Sequence, residues 1–254
     1  MSQQKIALVT GANRGLGRSE ALALAAHGVD IVVTYRSHED EAAAVVAEIE
    51  AHGRRSVALR LDASEPDSFA DFVDRLRSEL AKTWGRVDLD ILVNNAGNDG
   101  WTPLGGIALE TVRSLVDVHF VGVVMLTEAL VPLVVDGGRV INTSSGLTRF
   151  CGDFGYSIYA STKGAVEVWT RYLAKELGPR RITVNTIAPG ATGTDFGGGS
   201  MRDDDGVRAQ LGDVIAMGHV GLPDDVGAAV AAIASDKMGW VTGQRIEASG
   251  GMLL

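Results

Sequence analysis

Tyr159 and Lys163 stand four residues apart in the run Tyr159-Ala160-Ser161-Thr162-Lys163. On a helix that spacing puts both side chains on one face. A phenol has an ordinary pKa of ~10 and exchanges protons poorly at neutral pH. A neighbouring ammonium favours the phenolate and should pull that value down. Tyr159 could then pass a proton to or from a carbonyl or alcohol oxygen. Such a pair arises easily by chance, so its meaning depends on what else the chain supplies.

A glycine-rich turn supplies it. Thr10-Gly11-Ala12-Asn13-Arg14-Gly15-Leu16-Gly17 joins a short apolar run to an alanine-rich helix. Gly11, Gly15 and Gly17, with Asn13, Arg14 and Leu16 between them, let the backbone approach a pyrophosphate at a helix N-terminus. The spacing is G-x-x-x-G-x-G. The second strand ends Thr34-Tyr35-Arg36-Ser37, without the acidic residue that would bind a ribose 2′-hydroxyl. Arg36, with Ser37 beside it and Arg14 as a second cation, suits a 2′-phosphate instead. The pattern favours NADP(H) over NAD(H).

Around these residues strands and helices alternate. Strands are expected at residues 5–10, 30–35, 56–61, 89–93, 139–143, 182–187 and 241–248. Helices are expected from the glycine turn to about His27 and at 38–52, 111–135, 156–177 and 223–235. Another begins at Ser64, with Asp67 completing a capping box and Pro66 in the first turn. In it Phe69, Phe72, Val73, Leu76 and Leu80 form one apolar face. Residues 193–205, glycine-rich and acidic, read as a mobile loop. The alternation predicts an α/β fold, a single doubly wound Rossmann domain over residues 1–254. Its mostly parallel seven-stranded sheet would carry helices on both faces, with residues 191–217 a mobile substrate loop and helix.

Composition narrows the partners. The 254 residues carry a net charge of −9, with 46% hydrophobic and 22% charged residues. That balance argues against nucleic acid or an anionic membrane surface as a partner. The single cysteine, Cys151, excludes an internal disulfide framework and fits a cytoplasmic setting. The start of the chain does not read as a signal peptide. The apolar stretch 120–135 holds Glu128 and Pro132 and reads as a buried helix rather than a membrane span. No histidines stand at metal-ligand spacing, so no metal is expected.

The glycine turn, Asn94-Asn95-Ala96-Gly97, Ser144-Ser145, Tyr159-x-x-x-Lys163 and Pro189-Gly190 follow one another in an order that resembles the short-chain dehydrogenase/reductase family. The resemblance spans the whole chain, and overall it is similar to 3-oxoacyl-carrier-protein reductases. It implies that Asp62 contacts the adenine with the Ala63 backbone beside it, and that Asn95, Ala96 and Gly97 line the adenosine ribose. It implies that Ser145 stabilises charge on the substrate oxygen, with Ser144 exchanging roles if the register slips by one. Tyr159 would be the general acid in reduction and the base in oxidation. Lys163 would lower its pKa and bind the nicotinamide ribose, and Pro189, Gly190, Thr192 and Thr194 would hold the carboxamide. Tyr156 would be a wall residue.

One departure concerns the chemistry. Where the family carries an asparagine that helps hold a proton-relaying water, this chain reads Asp117-Val118-His119-Phe120. His119 could hold that water, or titrate near neutrality and impose a pH dependence. The expected activity is NADP(H)-dependent interconversion of a ketone or aldehyde and an alcohol, on a small molecule or on a protein-tethered 3-oxoacyl group. For the latter, Arg149, Arg171 and Arg202 are candidates for docking an acidic carrier. A non-catalytic dinucleotide sensor is the alternative of a different class. Family resemblance implies a homotetramer, or a homodimer.

Overall fold

The computed structural model describes residues 4–152 and 155–254. Residues 153 and 154, which end a stretch over 147–154 that the sequence suggests as a wall of the substrate pocket, and the first three residues lie outside the described part. Seven strands form one sheet: β1 (Ile6–Val9), β2 (Asp30–Tyr35), β3 (Ser56–Arg60), β4 (Leu89–Asn94), β5 (Val134–Thr143), β6 (Thr183–Pro189) and β7 (Arg245–Ala248). Their order is β3-β2-β1-β4-β5-β6-β7, and every neighbouring pair is parallel. The expected sheet was mostly parallel; the described one is parallel throughout.

Burial on both faces explains the near-continuous apolar strands. Alternate residues point to opposite sides. Ala7, Val9, Ile31, Val33, Ile91, Val93, Ile141 and Ile187 pack with α1 (Gly15–Ala26), α2 (Glu39–Ala51) and α9 (Pro223–Ala234). Leu8, Val32, Leu92, Val140 and Val184 face α3 (Phe69–Trp84), α5 (Gly122–Leu130) and α6 (Ser157–Leu177). The five apolar residues expected on α3 are all buried. Phe72 and Leu76 are fully enclosed, each contributing roughly 2–3 kcal/mol of apolar transfer. Helices α1 and α9 meet closely at Gly227, where a Cβ would lie 2.5 Å from Ser19 Oγ.

Three local expectations are corrected. Ser64 does not cap a helix. Its hydroxyl and amide both bond Asp62 Oδ1, at 2.6 and 3.0 Å, so Pro66–Ser68 forms a 3-10 turn and α3 starts at Phe69. The stretch expected as one helix over 111–135 is α4 (Leu109–Val116), a π turn (Asp117–Val121), α5 and a 3-10 turn (Val131–Leu133), after which β5 already begins at Val134. This helical run, Leu109–Leu133, is 25 residues long and holds an 18-residue window of mean hydropathy 1.7, enough by length and composition to cross a membrane. Here Leu115, Val118, Val123, Leu126, Leu130 and Leu133 are buried within the fold. Finally, residues 193–205 are not a bare loop. They hold a 3-10 turn (Phe196–Gly199) and α7 (Ser200–Asp203), and α8 (Asp205–Gly212) starts at their end.

Strand order reverses direction of growth between β1 and β4. The crevice beyond the carboxyl ends of those strands is where open α/β sheets bind ligands. The glycine turn leaves β1 and residues 94–97 leave β4 at that point.

Candidate active site

The glycine turn is shaped by close approach. Gly11 has φ +63°, and a Cβ there would sit 3.1 Å from Ala96 Cα. A Cβ on Gly17 would fall 2.4 Å from both Asn95 Nδ2 and Gly11 O. Asn95 explains the tightness: its amide donates to Thr10 O at 2.9 Å, while Thr10 Oγ1 accepts from the Asn95 and Ala96 backbones at 2.9 Å each. Asn95 and Ala96 thus brace the turn. The N-cap of α1, Arg14, is extended and makes no side-chain cap, and the first turn holds no acidic residue. The first amides of α1 therefore have no side-chain cap, as an anion site at a helix start requires. The residues present fit a dinucleotide pyrophosphate. Leu16 is half-buried against the core, and Asn13 turns away to bond Glu41 at 2.7 Å.

Arg36 and Ser37 are exposed at the end of β2. Arg60 pairs in register with Tyr35 on the next strand, and its Nε donates to Arg36 O at 3.2 Å. This second cation beside Arg36 escaped the sequence reading, although its place at a strand end, parallel to Tyr35, was available. Arg14, expected as that second cation, instead lies 4.0 Å from Asp195 on the segment after β6. Burial would raise the Asp62 carboxyl, but the Ser64 bonds and the charges of Arg36 and Arg60 hold it below its ordinary value. Ala63 rests on the start of α5: a Cβ at Gly122 would come within 2.0 Å of Ala63 O. Gly122 is a further positioning residue the sequence reading missed.

The catalytic candidates converge beyond β5. Tyr159 and Lys163 share the inward face of α6 with Val166, Thr170, Leu173 and Leu177. Both are buried, and Lys163 Nζ donates to Thr143 O at 2.8 Å. Ser145 makes a side-chain hydrogen bond with Tyr159 and accepts from Leu147 N at 3.2 Å. Ser144 is tied elsewhere, donating to Glu167 Oε1. The serine beside the phenol is therefore Ser145. Pro189 ends β6, and Gly190 meets Ser249 so closely that a Cβ would stand 2.6 Å from Ser249 Cβ. Thr192 and Thr194 follow, both buried, with Thr192 Oγ1 donating to Gly190 O at 3.1 Å.

Two electrostatic expectations change. The Tyr159 phenol is not lowered. Burial raises it above its ordinary value, the Ser145 bond opposes that, and Asp99 and Tyr156 add to the rise. Lys163 Nζ lies 5.8 Å from the Tyr159 ring centroid and is held by Thr143, so burial outweighs what its charge does for the phenol. Burial brings Lys163 itself down to about 8, with the charge of Glu20 on α1 acting the other way.

His119 does not titrate near neutrality. Burial and the Lys163 charge hold it down to about 3, against an opposing bond to Asn98. The π turn rotates its ring inward, where it meets Tyr159 edge-on with centroids 5.1 Å apart. Nε2 lies 2.7 Å from Asn98 O and 3.4 Å from the Asn98 amide nitrogen; the shorter contact, to an oxygen that only accepts, puts the proton on Nε2. Nδ1 is buried without a partner. A Cβ on Gly97 would lie 2.7 Å from His119 Cε1, so in this chain Gly97 makes room for the imidazole. Tyr156 and Phe196 complete the ring of aromatic neighbours, with centroids 6.4 and 5.7 Å from that of Tyr159.

The comparisons agree with this fold. Residues 11–253 match a family model described as "Enoyl-(Acyl carrier protein) reductase". A 3-oxoacyl-[acyl-carrier-protein] reductase from Synechocystis is 36% identical, covering 98% of this chain and 97% of its own. The solved structure of LugOII, titled as a promiscuous reductase catalysing keto-reduction at C1 during lugdunomycin biosynthesis, superposes with TM-score 0.93 at 38% identity over 99% of both chains. The angucycline C-6 ketoreductase LanV with bound NADP follows at TM-score 0.92 and 36% identity, over 98% of this chain and 95% of its own. With a glycine turn leaving β1 at the switch point, Ser145, Tyr159 and Lys163 beyond β5, and a family model matching residues 11–253, the chain belongs to the short-chain dehydrogenase/reductase family of oxidoreductases.

Proposed function

We propose that this protein is an NADPH-dependent ketoreductase acting on a flat, apolar, fused-ring ketone. The observation that carries the reading is the convergence of the Tyr159 phenol, the Ser145 hydroxyl and Lys163 at one buried point beyond β5. Gly11, Gly15 and Gly17 would seat the pyrophosphate, and Arg36 with Arg60 the 2′-phosphate. Pro189, Gly190, Thr192 and Thr194 would face the carboxamide. The dinucleotide supplies the hydride.

The chain's residues manage the proton. As the substrate oxygen gains negative charge, Ser145 Oγ donates a hydrogen bond to it and Tyr159 Oη transfers its proton to it. A phenol held above its ordinary value keeps that proton until the oxygen becomes basic. The Lys163 ammonium then stabilises the phenolate left behind. His119, locked as the Nε2–H tautomer, presents a lone pair at Nδ1 that can accept from a relaying water.

Substrate shape follows from the walls. Tyr159 is surrounded by the rings of His119, Tyr156 and Phe196. Trp101, largely exposed, lies against Gly155 just before α6. These surfaces suit stacking on a planar ligand. Relatives named for hydroxynaphthalene, versicolorin and angucycline reduction point the same way. Residues 191–217 would be the mobile segment that closes over the substrate.

The named carrier-protein reductases support a second reading, a protein-tethered 3-oxoacyl substrate. Its proposed docking patch is largely neutralised, however. Arg149 is bonded to Glu247 through two nitrogens, and Arg202 pairs with Asp195 and Asp203. NADPH oxidation with fused bicyclic ketones and with linear 3-oxoacyl thioesters separates the readings. The proposal requires kcat/KM at least about tenfold higher for the ring ketones, and the reverse order overturns it. Tight NADPH binding with no turnover of either class would point to a sensor.

A further inference from the structure

The helix that carries Tyr159 also grips the loop that carries Ser145. Tyr159, Lys163 and Glu167 follow one another at four-residue steps along one side of α6. Lys163 holds the carbonyl of Thr143, the last residue of β5, at 2.8 Å. One step on, Glu167 Oε1 accepts from Ser144 Oγ and, at 2.7 Å, from Thr148 Oγ1. Those two hydroxyls bracket Ser145 in sequence.

Arg245 closes the bracket from the edge strand. Its Nε donates to Glu167 Oε1 at 2.8 Å and lies 3.1 Å from Thr148 Oγ1, while Nη2 donates to Ser145 O at 3.2 Å. Nη1 donates to Glu247 Oε2 at 2.8 Å, from a residue on the same face of β7. The guanidinium is thus oriented from its own strand before it reaches the loop. A planar fork that meets several acceptors fixes direction as well as distance. The Glu167 and Arg245 side chains are 13% and 22% exposed, so water screens this pair less than one on the surface.

The loop's own bonds do less. Ser144 N continues the ladder to β6, 2.7 Å from Ile187 O. Ser145 is then extended, at φ −156° and ψ 150°, and leads into the 3-10 turn Gly146–Thr148. Thr148 N and Arg149 N donate to Ser145 O and Gly146 O, at 3.2 and 2.9 Å. These bonds set the shape of the turn; its tilt against α6 is set by Glu167 and Arg245.

We propose that Glu167, oriented by Arg245, is a positioning residue for Ser145: it docks the serine loop on the helix of Tyr159, so that one rigid element places both the hydroxyl and the phenol. The proposal rests on the catalytic reading of Ser145 given above. Glu167 and Arg245 act through the loop, not through contact with substrate.

The test is Glu167→Ala, alone and combined with Ser145→Ala, assayed with NADPH and the fused bicyclic ketone α-tetralone. A displacement of about 1 Å in a reacting geometry can cost about 10²-fold. Glu167→Ala should therefore lower kcat by about ten- to a hundredfold, with KM for the ketone and Kd for NADPH within about threefold of wild type. In the Ser145→Ala background the same change should cost less than about twofold, because the group it positions is gone. Equal losses in both backgrounds overturn the proposal and leave the catalytic reading standing. A Ser145→Ala variant as active as wild type refutes the catalytic reading, and this role falls with it. Hydrogen exchange reads the docking without any substrate: amides 145–150 should exchange at least about tenfold faster in Glu167→Ala, and unchanged exchange overturns the proposal. Should Glu167→Ala not fold, Arg245→Lys keeps the charge and loses the fork, and kcat should fall about three- to tenfold, again only while Ser145 is present. A loss from Arg245→Lys that is indifferent to Ser145 overturns the proposal.

Discussion

Replacing Glu20 by glutamine should change how stability depends on pH, with a sign and size set by burial. In the folded protein the Glu20 carboxyl titrates at about 8, against 4.5 for the ordinary side chain. Between those values the folded state holds a proton that the unfolded chain has released. Stability conferred by that proton is therefore present below pH 4.5 and lost as pH rises towards 8. At about 1.4 kcal/mol per unit, the loss amounts to at most about 4–5 kcal/mol. Lys163 works in a different window. Its folded value, about 8, lies below the ordinary 10.5, so its buried ammonium is a cost up to pH 8 that is recovered between 8 and 10.5. Wild-type stability should thus pass through a minimum near pH 8. Glu20→Gln should be flat in this contribution from pH 5 to 8. Urea unfolding followed by tryptophan fluorescence at several pH values gives both curves. If the two proteins run parallel between pH 5 and 8 with equal m-values, the carboxyl is not held neutral by burial, and the reasoning fails.

Tyr159→Phe removes the proposed proton donor and keeps the ring packing against His119 and Phe196. Turnover should fall by about 10²- to 10⁴-fold, while NADPH affinity by fluorescence titration stays within a few-fold. Arg36→Ala should weaken NADPH binding by roughly tenfold to a hundredfold, matching about 1.5–3 kcal/mol for charge-assisted hydrogen bonds, and leave NADH nearly unaffected. Equal losses for both cofactors would remove Arg36 from 2′-phosphate recognition. His119 is neutral well below physiological pH, so the pH–rate profiles of wild type and His119→Asn should have coincident inflections from pH 5 to 8. An inflection lost only in the variant would restore a titrating role.

The strand ladder was legible because both faces of the sheet are covered. The run at 30–35 is apolar or β-branched through most of its length, and its bounds match the observed strand. The glycine turn and the Tyr159/Lys163 spacing were legible because each demands particular residues at particular offsets. What was missed depended on partners distant in sequence. Ser64 looks like a cap until Asp62 takes its hydroxyl. Residues 134 and 135 look helical until Gly138 brings β5 close to Asp90, where a Cβ would lie 2.9 Å from the carbonyl oxygen. The phenol was expected to be lowered because the lysine is near in sequence. Thr143 on another strand captures that lysine, and burial dominates. Glu20 left one local trace, a charge in the apolar phase of a short alanine-rich helix, which reads equally well as the edge of a solvated face.

The end of the chain is wired to the segment that follows Ser145. Arg149 donates to Leu253 O at 3.0 Å and to Met252 O at 2.5 Å while gripping Glu247 through two nitrogens. Arg245 passes the connection on to Glu167 and to Ser145 O. Leu254, almost wholly exposed, is a short step from this relay. An affinity tag or fusion joined at the carboxyl terminus would therefore pull on the backbone that carries Ser145, whereas Lys5 leads into β1 at the opposite end of the sheet. For expression, immobilisation or enzyme cascades, the amino terminus is the safer handle, and any carboxyl-terminal attachment needs a flexible spacer.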